Sequence, residues 1–302
     1  MLWSDIPRRL ATICMGVPIL WKVLQLPLLA HVFFGGAHAL SAWEFSLLQP
    51  NSGNSGVSDK WQHRILFCVA SVALASICLV FPIDNDSSAV STSLFQLLLP
   101  LVAGIFVMMQ QLHFVTGLVL FTIPFYCWTL IQLRPDAFAS TVAILLVVWN
   151  ADTGALLLGR IMIVVRSKQQ VLLPPIPVPR WIHVISPKKT MEGFLGGILG
   201  GTWTAVQWVP ALVRWSSSSM EISPAFDTIW MSSTWQQRVG LGLILSLLAI
   251  VGDLVESSIK RQSQAKDSGN VLPGHGGILD RFDSSLLAVC FYVALLNWVA
   301  TT

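Results

Sequence analysis

Long apolar runs with almost no charge govern what this chain can fold into, because each approaches the length at which a helix crosses a bilayer. A hydrocarbon core about 30 Å thick takes roughly 20 helical residues. Such runs are read at Leu10–Trp21, Leu28–Phe45, Ile65–Ile83, Leu94–Leu112, Phe114–Leu133, Phe138–Leu158, Gly193–Leu212, Gly240–Val255 and Leu286–Ala300. They do not alternate polar with apolar residues, which argues against a closed β-barrel, the other fold that satisfies its backbone in lipid. The expectation is an all-α, polytopic integral membrane protein with about nine transmembrane helices. Composition agrees: of 302 residues 54% are hydrophobic and 11% charged, with a mean hydropathy of +0.69, unlike a water-soluble domain.

The first run is short and holds Pro18, so a re-entrant or tilted segment competes with a full crossing. Arg8 and Arg9 ahead of it resemble a signal peptide, but no small-residue cleavage site follows, and an uncleaved helix is expected. Because short basic loops stay cytoplasmic, Arg8 and Arg9 put the N-terminus inside, with the loop of Lys60 and Arg64. The turn of Asp84 and Asp86 and the connection from Arg214 to Arg238 then fall outside. Arg160, Arg166, Lys168, Arg180, Lys188 and Lys189 occupy an inside loop, and Ser257–Asp283 returns to the same cytoplasmic, or topologically equivalent, face.

Charge collects in that last loop. It carries Lys260, Arg261, Lys266, Asp267, His275, Asp280, Arg281 and Asp283, and with Asp253 and Glu256 just ahead it takes in five of the fifteen acidic residues. Carboxylates beside lipid are costly without a metal, a substrate or an ion-pair partner, so a reaction site at a membrane surface is expected here. On a helix, Asp253, Glu256, Ser257 and Lys260 share one face. Asp280 and Asp283 are similarly spaced, and Asp283 or Ser284 would cap the last helix and leave backbone N–H groups facing anions. Capping and charge balance alone would account for the same pattern. Asp152, at the inner end of an apolar run, is read as a metal or nucleotide contact, with pairing to Arg160 the plainer alternative.

The remaining features are quieter. A net charge of +3, without interleaved aromatic and basic residues, gives no sign of a nucleic-acid partner. Cys14, Cys68, Cys78, Cys127 and Cys290 lack metal-ligand spacing and read as packing residues, and His31, His38, His63, His113 and His183 form no metal motif. Trp21, Trp43, Trp149, Trp181 and Trp298 fall near run ends, where indole anchors at the interface. Gly193, Gly197 and Gly201 recur every four residues, as do Gly196 and Gly200, which predicts a closely packed helix and is compatible with a homodimer.

The order Lys260-Arg261, Lys266-Asp267, Pro273-x-His275-Gly276-Gly277, Asp280-Arg281-x-Asp283 resembles the signature of the phosphatidate cytidylyltransferases, or CDP-diacylglycerol synthases. Three further blocks resemble the same family: Asp152-Thr153-Gly154-Ala155 with Gly159-Arg160, Ser186-Pro187-Lys188-Lys189-Thr190 with Glu192-Gly193, and Gly252-Asp253-Leu254 with Glu256-Ser257. In the N-terminal half the likeness is one of hydropathy alone. Residues 1–135 are therefore read as N-terminal transmembrane helices and residues 136–302 as the catalytic transmembrane region.

The resemblance implies that a phosphatidate oxygen attacks the α-phosphorus of CTP, giving CDP-diacylglycerol and pyrophosphate. It implies Mg²⁺, with a second cation left open, and CTP, phosphatidate and membrane lipids as partners. Asp253, Lys266, Asp267, Asp280 and Asp283 become the catalytic candidates, the four aspartates among them as metal ligands. Asp152, Ser186, Lys188, Lys189, Lys260, Arg261, His275 and Arg281 become substrate contacts, His275 with a turn-stabilising role as its alternative. Two departures stand out: Met191 where relatives usually carry Trp, and a longer interval before Ser186 with the run Pro174-Pro175-Ile176-Pro177-Val178-Pro179, a lid, a docking strip or a neutral insertion. A CTP-dependent lipid kinase, or a cytidylyltransferase for another lipid phosphate, is the nearer alternative function. A transporter would not need the charged blocks outside the spans.

Overall fold

The computed structural model describes residues 6–48, 113–168, 174–216, 221–269, 271 and 276–302. Its regular elements are all helical: α1 (Ile6–Gln25), α2 (Pro27–Leu47), α3 (His113–Gln132), α4 (Ala137–Lys168), α5 (Arg180–Ile185), α6 (Met191–Trp203), α7 (Val209–Trp215), α8 (Pro224–Phe226), α9 (Trp235–Gln262), α10 (Leu279–Phe282) and α11 (Ser285–Thr301). The runs expected at Ile65–Ile83 and Leu94–Leu112, and His275, lie outside the described residues. Two helices, Ala137–Arg166 and Trp235–Gln262, are long and apolar enough to cross a membrane singly, and α1 with α2 forms a third candidate as a bent pair.

Proline chemistry explains the two irregular places. Leu26 is extended (φ −108°, ψ 105°) because the following proline ring crowds the helical conformation, and Pro27 then opens α2, where a missing N–H is no loss. The two helices meet at a 120° bend, so the short first run belongs to a broken pair. Farther on, Pro210 cannot donate to the preceding turn. A π-helical turn, Thr204–Trp208, absorbs the mismatch by passing the Val209 N–H to the Thr204 carbonyl, so α6 and α7 continue as one rod.

The other long helix, α9, begins with a reciprocal cap between Thr234 and Gln237. It ends at Ser263 with Gln264 left-handed (φ 55°), the Ala265 N–H reaching the Lys260 carbonyl at 2.8 Å and the Gln264 N–H the Arg261 carbonyl at 3.1 Å. That closure turns the chain back across the helix end, into the loop that carries Lys266 and Asp267.

Close packing follows the glycines. A Cβ at Gly154 would stand 2.3 Å from the Gly196 carbonyl oxygen, and one at Gly200 would stand 2.6 Å from that of Asn150, so α4 and α6 touch backbone to backbone. Aromatic side chains fill the middle of the bundle, with Phe34 stacked on Trp128 at 4.7 Å and Phe282 edge-on to Phe34 at 6.0 Å. At one end, Asp136 accepts from Arg134, Ser140 and Ser223, and Tyr292 accepts from Trp230, which ties α4, α8 and α11 together. The outer surface is apolar: Leu199 is 65% and Trp215 80% exposed. Among the expected anchors, Trp149, Trp181 and Trp298 are exposed, whereas Trp21 packs edge-on against Phe138. Cys127 and Cys290 are buried and unbridged, as packing residues would be.

Candidate active site

Three separate segments supply one acidic cluster. Asp152 stands midway along α4, Asp253 near the end of α9, and Asp283 between α10 and α11. Gly252 permits the last two to approach, since a Cβ there would lie 2.4 Å from the Asp283 carbonyl oxygen. Ser284 bridges the cluster: its hydroxyl lies 2.9 Å from Asp152 Oδ2 and 3.2 Å from Asp283 Oδ1, and its N–H donates to Asp283 Oδ1 at 2.7 Å. Ser257 donates to Asp253 Oδ1 at 3.3 Å, and the Lys189 ammonium stands 2.6 Å from Asp253 Oδ2. Burial, then repulsion from Asp253 and Asp152, pushes the Asp283 carboxyl well above the usual carboxylate range.

A second polar layer lies beside the first. The Lys260 ammonium sits 2.5 Å from Glu256 Oε2 and 2.7 Å from Asp280 Oδ1, on the helical face the spacing predicts. Asp280 Oδ2 also accepts the N–H groups of Gly277 at 2.8 Å and Ser268 at 3.0 Å. Burial alone would raise the Asp280 carboxyl, but the Lys260 ammonium and the Gly277 amide hold it below the usual range. The two aspartates of the Asp-Arg-x-Asp block thus part company. Asp280 faces Lys260 and its own loop, while Asp283 faces Asp152 and Asp253.

The two charged loops share one face. Arg261 donates to the Ile185 carbonyl at 2.9 Å and to that of Ala265 at 3.4 Å, joining them directly. Lys188, Lys266, Asp267 and Arg281 are exposed, and of the cations Lys189 and Arg281 act on Asp152 electrostatically. Ser186 is half-buried and closes α5 through its N–H to the Ile182 carbonyl at 2.8 Å. Asp152 takes Ser284 as its hydrogen-bond partner, and no ion pair between Asp152 and Arg160 occurs among the described residues.

Sequence reasoning gives Glu44 and Glu192 no role, yet both hold loops of the site. Glu44, 1% exposed, receives the N–H groups of Ile278 and Leu279. The available signal was a lone carboxylate inside the apolar run Leu28–Phe45. Glu192, ahead of the apolar part of α6, pairs with Arg166 and accepts the Ile176 N–H at 3.0 Å, fastening the proline-rich strap near Lys188 and Lys189. The Arg166 guanidinium first, and the Ile176 amide second, hold Glu192 down to about 2.

Among the described residues no three acidic, histidine or cysteine side chains close into a protein cage for a metal. Mg²⁺ does not need one, because it binds through one or two carboxylates together with substrate phosphates and waters. Half-buried Asp152, Asp253 and Asp283 offer hard oxygen donors, and the repulsion among them is relieved by a cation, so the donor set fits Mg²⁺. Asp280 is the poorer donor, with both oxygens already engaged.

A phosphatidate cytidylyltransferase of Staphylococcus aureus (strain COL) is 40% identical over 152 residues, 50% of this chain and 45% of its own length. One from Staphylococcus haemolyticus (strain JCSC1435) is 38% identical over 164 residues, 54% of this chain and 50% of its own. The chain spans about half the length of the curated relatives it matches. Residues 6–299 match the profile of the Cytidylyltransferase family. With that match running almost end to end, the chain belongs to the cytidylyltransferase family.

Proposed function

We propose that this protein transfers the cytidylyl group of CTP to phosphatidate, releasing pyrophosphate and forming CDP-diacylglycerol. The observation that carries the reading is the meeting of Asp152, Asp253 and Asp283 with Lys189 from separate segments. The protein is a polytopic membrane enzyme with about nine crossings, its site on the cytoplasmic or equivalent face.

Two anionic reactants must meet, so catalysis rests on positioning and charge neutralisation. Asp152, Asp253 and Asp283 would hold Mg²⁺, which supplies positive charge to the phosphates. Lys188, Lys189, Lys266 and Arg281 would bind phosphate oxygens, Arg through a planar fork and Lys as a point charge. Ser284 keeps Asp152 and Asp283 facing one another. Lys260 and Asp280 fix the Ser268 and Gly277 amides. The lipid phosphate is already ionised near neutral pH, so no strong general base is required. Apolar residues exposed on α4, among them Leu156 and Leu157, face the lipid from which the diacyl substrate arrives.

The test uses purified protein in detergent micelles with phosphatidate and CTP labelled at either the α- or the γ-phosphate. The α-label moves into lipid and the γ-label leaves as pyrophosphate, with Mg²⁺ required. Appearance of γ-label in lipid with CDP as the other product would assign a CTP-dependent lipid kinase instead.

A further inference from the structure

The buried carboxylate of Glu44 comes from a helix far ahead of the signature segment, and its surroundings are unusual. Among the described residues its three donors are neutral: Ile278 N–H at 3.0 Å to Oε1, Leu279 N–H at 2.8 Å to Oε2 and Ser268 Oγ at 3.2 Å to Oε2. No ion pair of Glu44 occurs among the described residues. Glycines let the loop close on it, for a Cβ at Gly269 would stand 2.5 Å from Oε1 and one at Gly277 2.5 Å from Oε2. A carboxyl group at this depth is costly to bury, and its hydrogen bonds to the loop offset that cost.

Glu44 and Asp280 grip opposite sides of one loop. Asp280 takes the Ser268 and Gly277 amides, and Glu44 takes the Ile278 and Leu279 amides. Leu279 is the link to the acidic cluster: its N–H is held by Glu44, and its carbonyl accepts the Asp283 N–H at 3.0 Å. A displaced Glu44 would therefore displace Asp283 through two successive hydrogen bonds. Small misplacements at a reacting centre cost rate steeply.

We infer that Glu44 is a positioning residue for cytidylyl transfer, setting the register of residues 277–283 and so the place of Asp283. The inference rests on the function proposed above. A glutamine at this position keeps the volume but turns one acceptor into a donor, which then opposes Ile278 N–H or the Leu279 and Ser268 donors.

The experiment compares the full-length wild type with Glu44→Gln, measuring transfer kinetics, amide hydrogen exchange and thermal unfolding in one detergent. Expected for Glu44→Gln is a kcat at least 30-fold lower with the KM for CTP within threefold of wild type. Exchange at the Ile278 and Leu279 amides rises at least tenfold, while the middle of α9 and α11 stays as protected as in the wild type. Unchanged exchange at those amides, an unchanged kcat, or exchange rising throughout the bundle overturns the inference. Should Glu44→Gln fail to fold, Ser268→Ala deletes one donor to the same carboxylate. Raised exchange at Ile278 and Leu279 with a several-fold loss of kcat then supports the inference, and no change in either overturns it. A wild type that transfers no label removes the functional reading and the inference together. An active wild type with a fully active Glu44→Gln removes the inference alone.

Discussion

Asp280 and Asp283 are near neighbours in sequence with different partners, so substitution at the two positions has different consequences. Half-buried Asp283 lies beside Asp253 and Asp152, and burial followed by their repulsion raises its carboxyl, so its charged form opposes folding near neutral pH in the absence of a cation. Asp283→Asn is therefore expected to unfold at a temperature equal to or above that of the wild type in Mg²⁺-free buffer. Lys260 shows the opposite case, because its loss leaves Glu256 and Asp280 without their cation. Breaking a buried pair in this way costs about 3–5 kcal/mol, so Lys260→Met should unfold well below the wild type. A Lys260→Met protein of normal stability with a raised KM for CTP would return Lys260 to the phosphate-binding role its sequence position implies. Helical spacing made the shared face of Asp253, Ser257 and Lys260 legible, because period is a local property. Which carboxylate each loop amide consumes depends on contacts between Ser268, Gly277 and residues distant in sequence, and no local pattern records that.

Among elements, the α4–α6 contact and the proline-rich strap are the places to probe. The glycine spacing of α6 announced close packing, and Gly196 and Gly200 face the α4 backbone as expected. A side chain at Gly154 meets the Gly196 carbonyl, which cannot swing aside. Gly154→Val should therefore cost about 1–3 kcal/mol or more, read as a lower unfolding temperature, and an unchanged temperature would mean the helices separate freely. The strap was legible as irregular backbone from its prolines, but its docking on Glu192 was not, since that contact joins segments separated by a turn. Glu192 is depressed, so its contribution is complete above the ordinary carboxylate value near 4.3 and is lost as pH falls through about 2. Limited proteolysis between Pro174 and Pro179 should stay slow from pH 6 to pH 4 in the wild type and be fast throughout in Glu192→Gln. Equal rates in the two proteins would show that Glu192 does not hold the strap.

At the scale of the whole molecule, helices from distant parts of the chain bring charged side chains together. The apolar runs and the sidedness of the basic loops forecast that both charged loops share a face, and the Arg261 contact with Ile185 joins them there. The part played by α2 was not legible, because Glu44 stands alone in an apolar helix and only the folded loop gives it partners. Assembly of Asp152, Asp253 and Asp283 into one Mg²⁺-dependent transfer site is the central claim. It is tested most directly by the rate at which α-labelled CTP passes its label to phosphatidate in the wild type and in Asp283→Asn, measured across a Mg²⁺ titration. The account predicts a wild-type rate that rises with Mg²⁺ and vanishes with chelator, and an Asp283→Asn rate at least about 100-fold lower, some 2.7 kcal/mol of lost transition-state stabilisation. An Asp283→Asn protein that transfers label at a near-normal rate, with the same Mg²⁺ dependence, would contradict it.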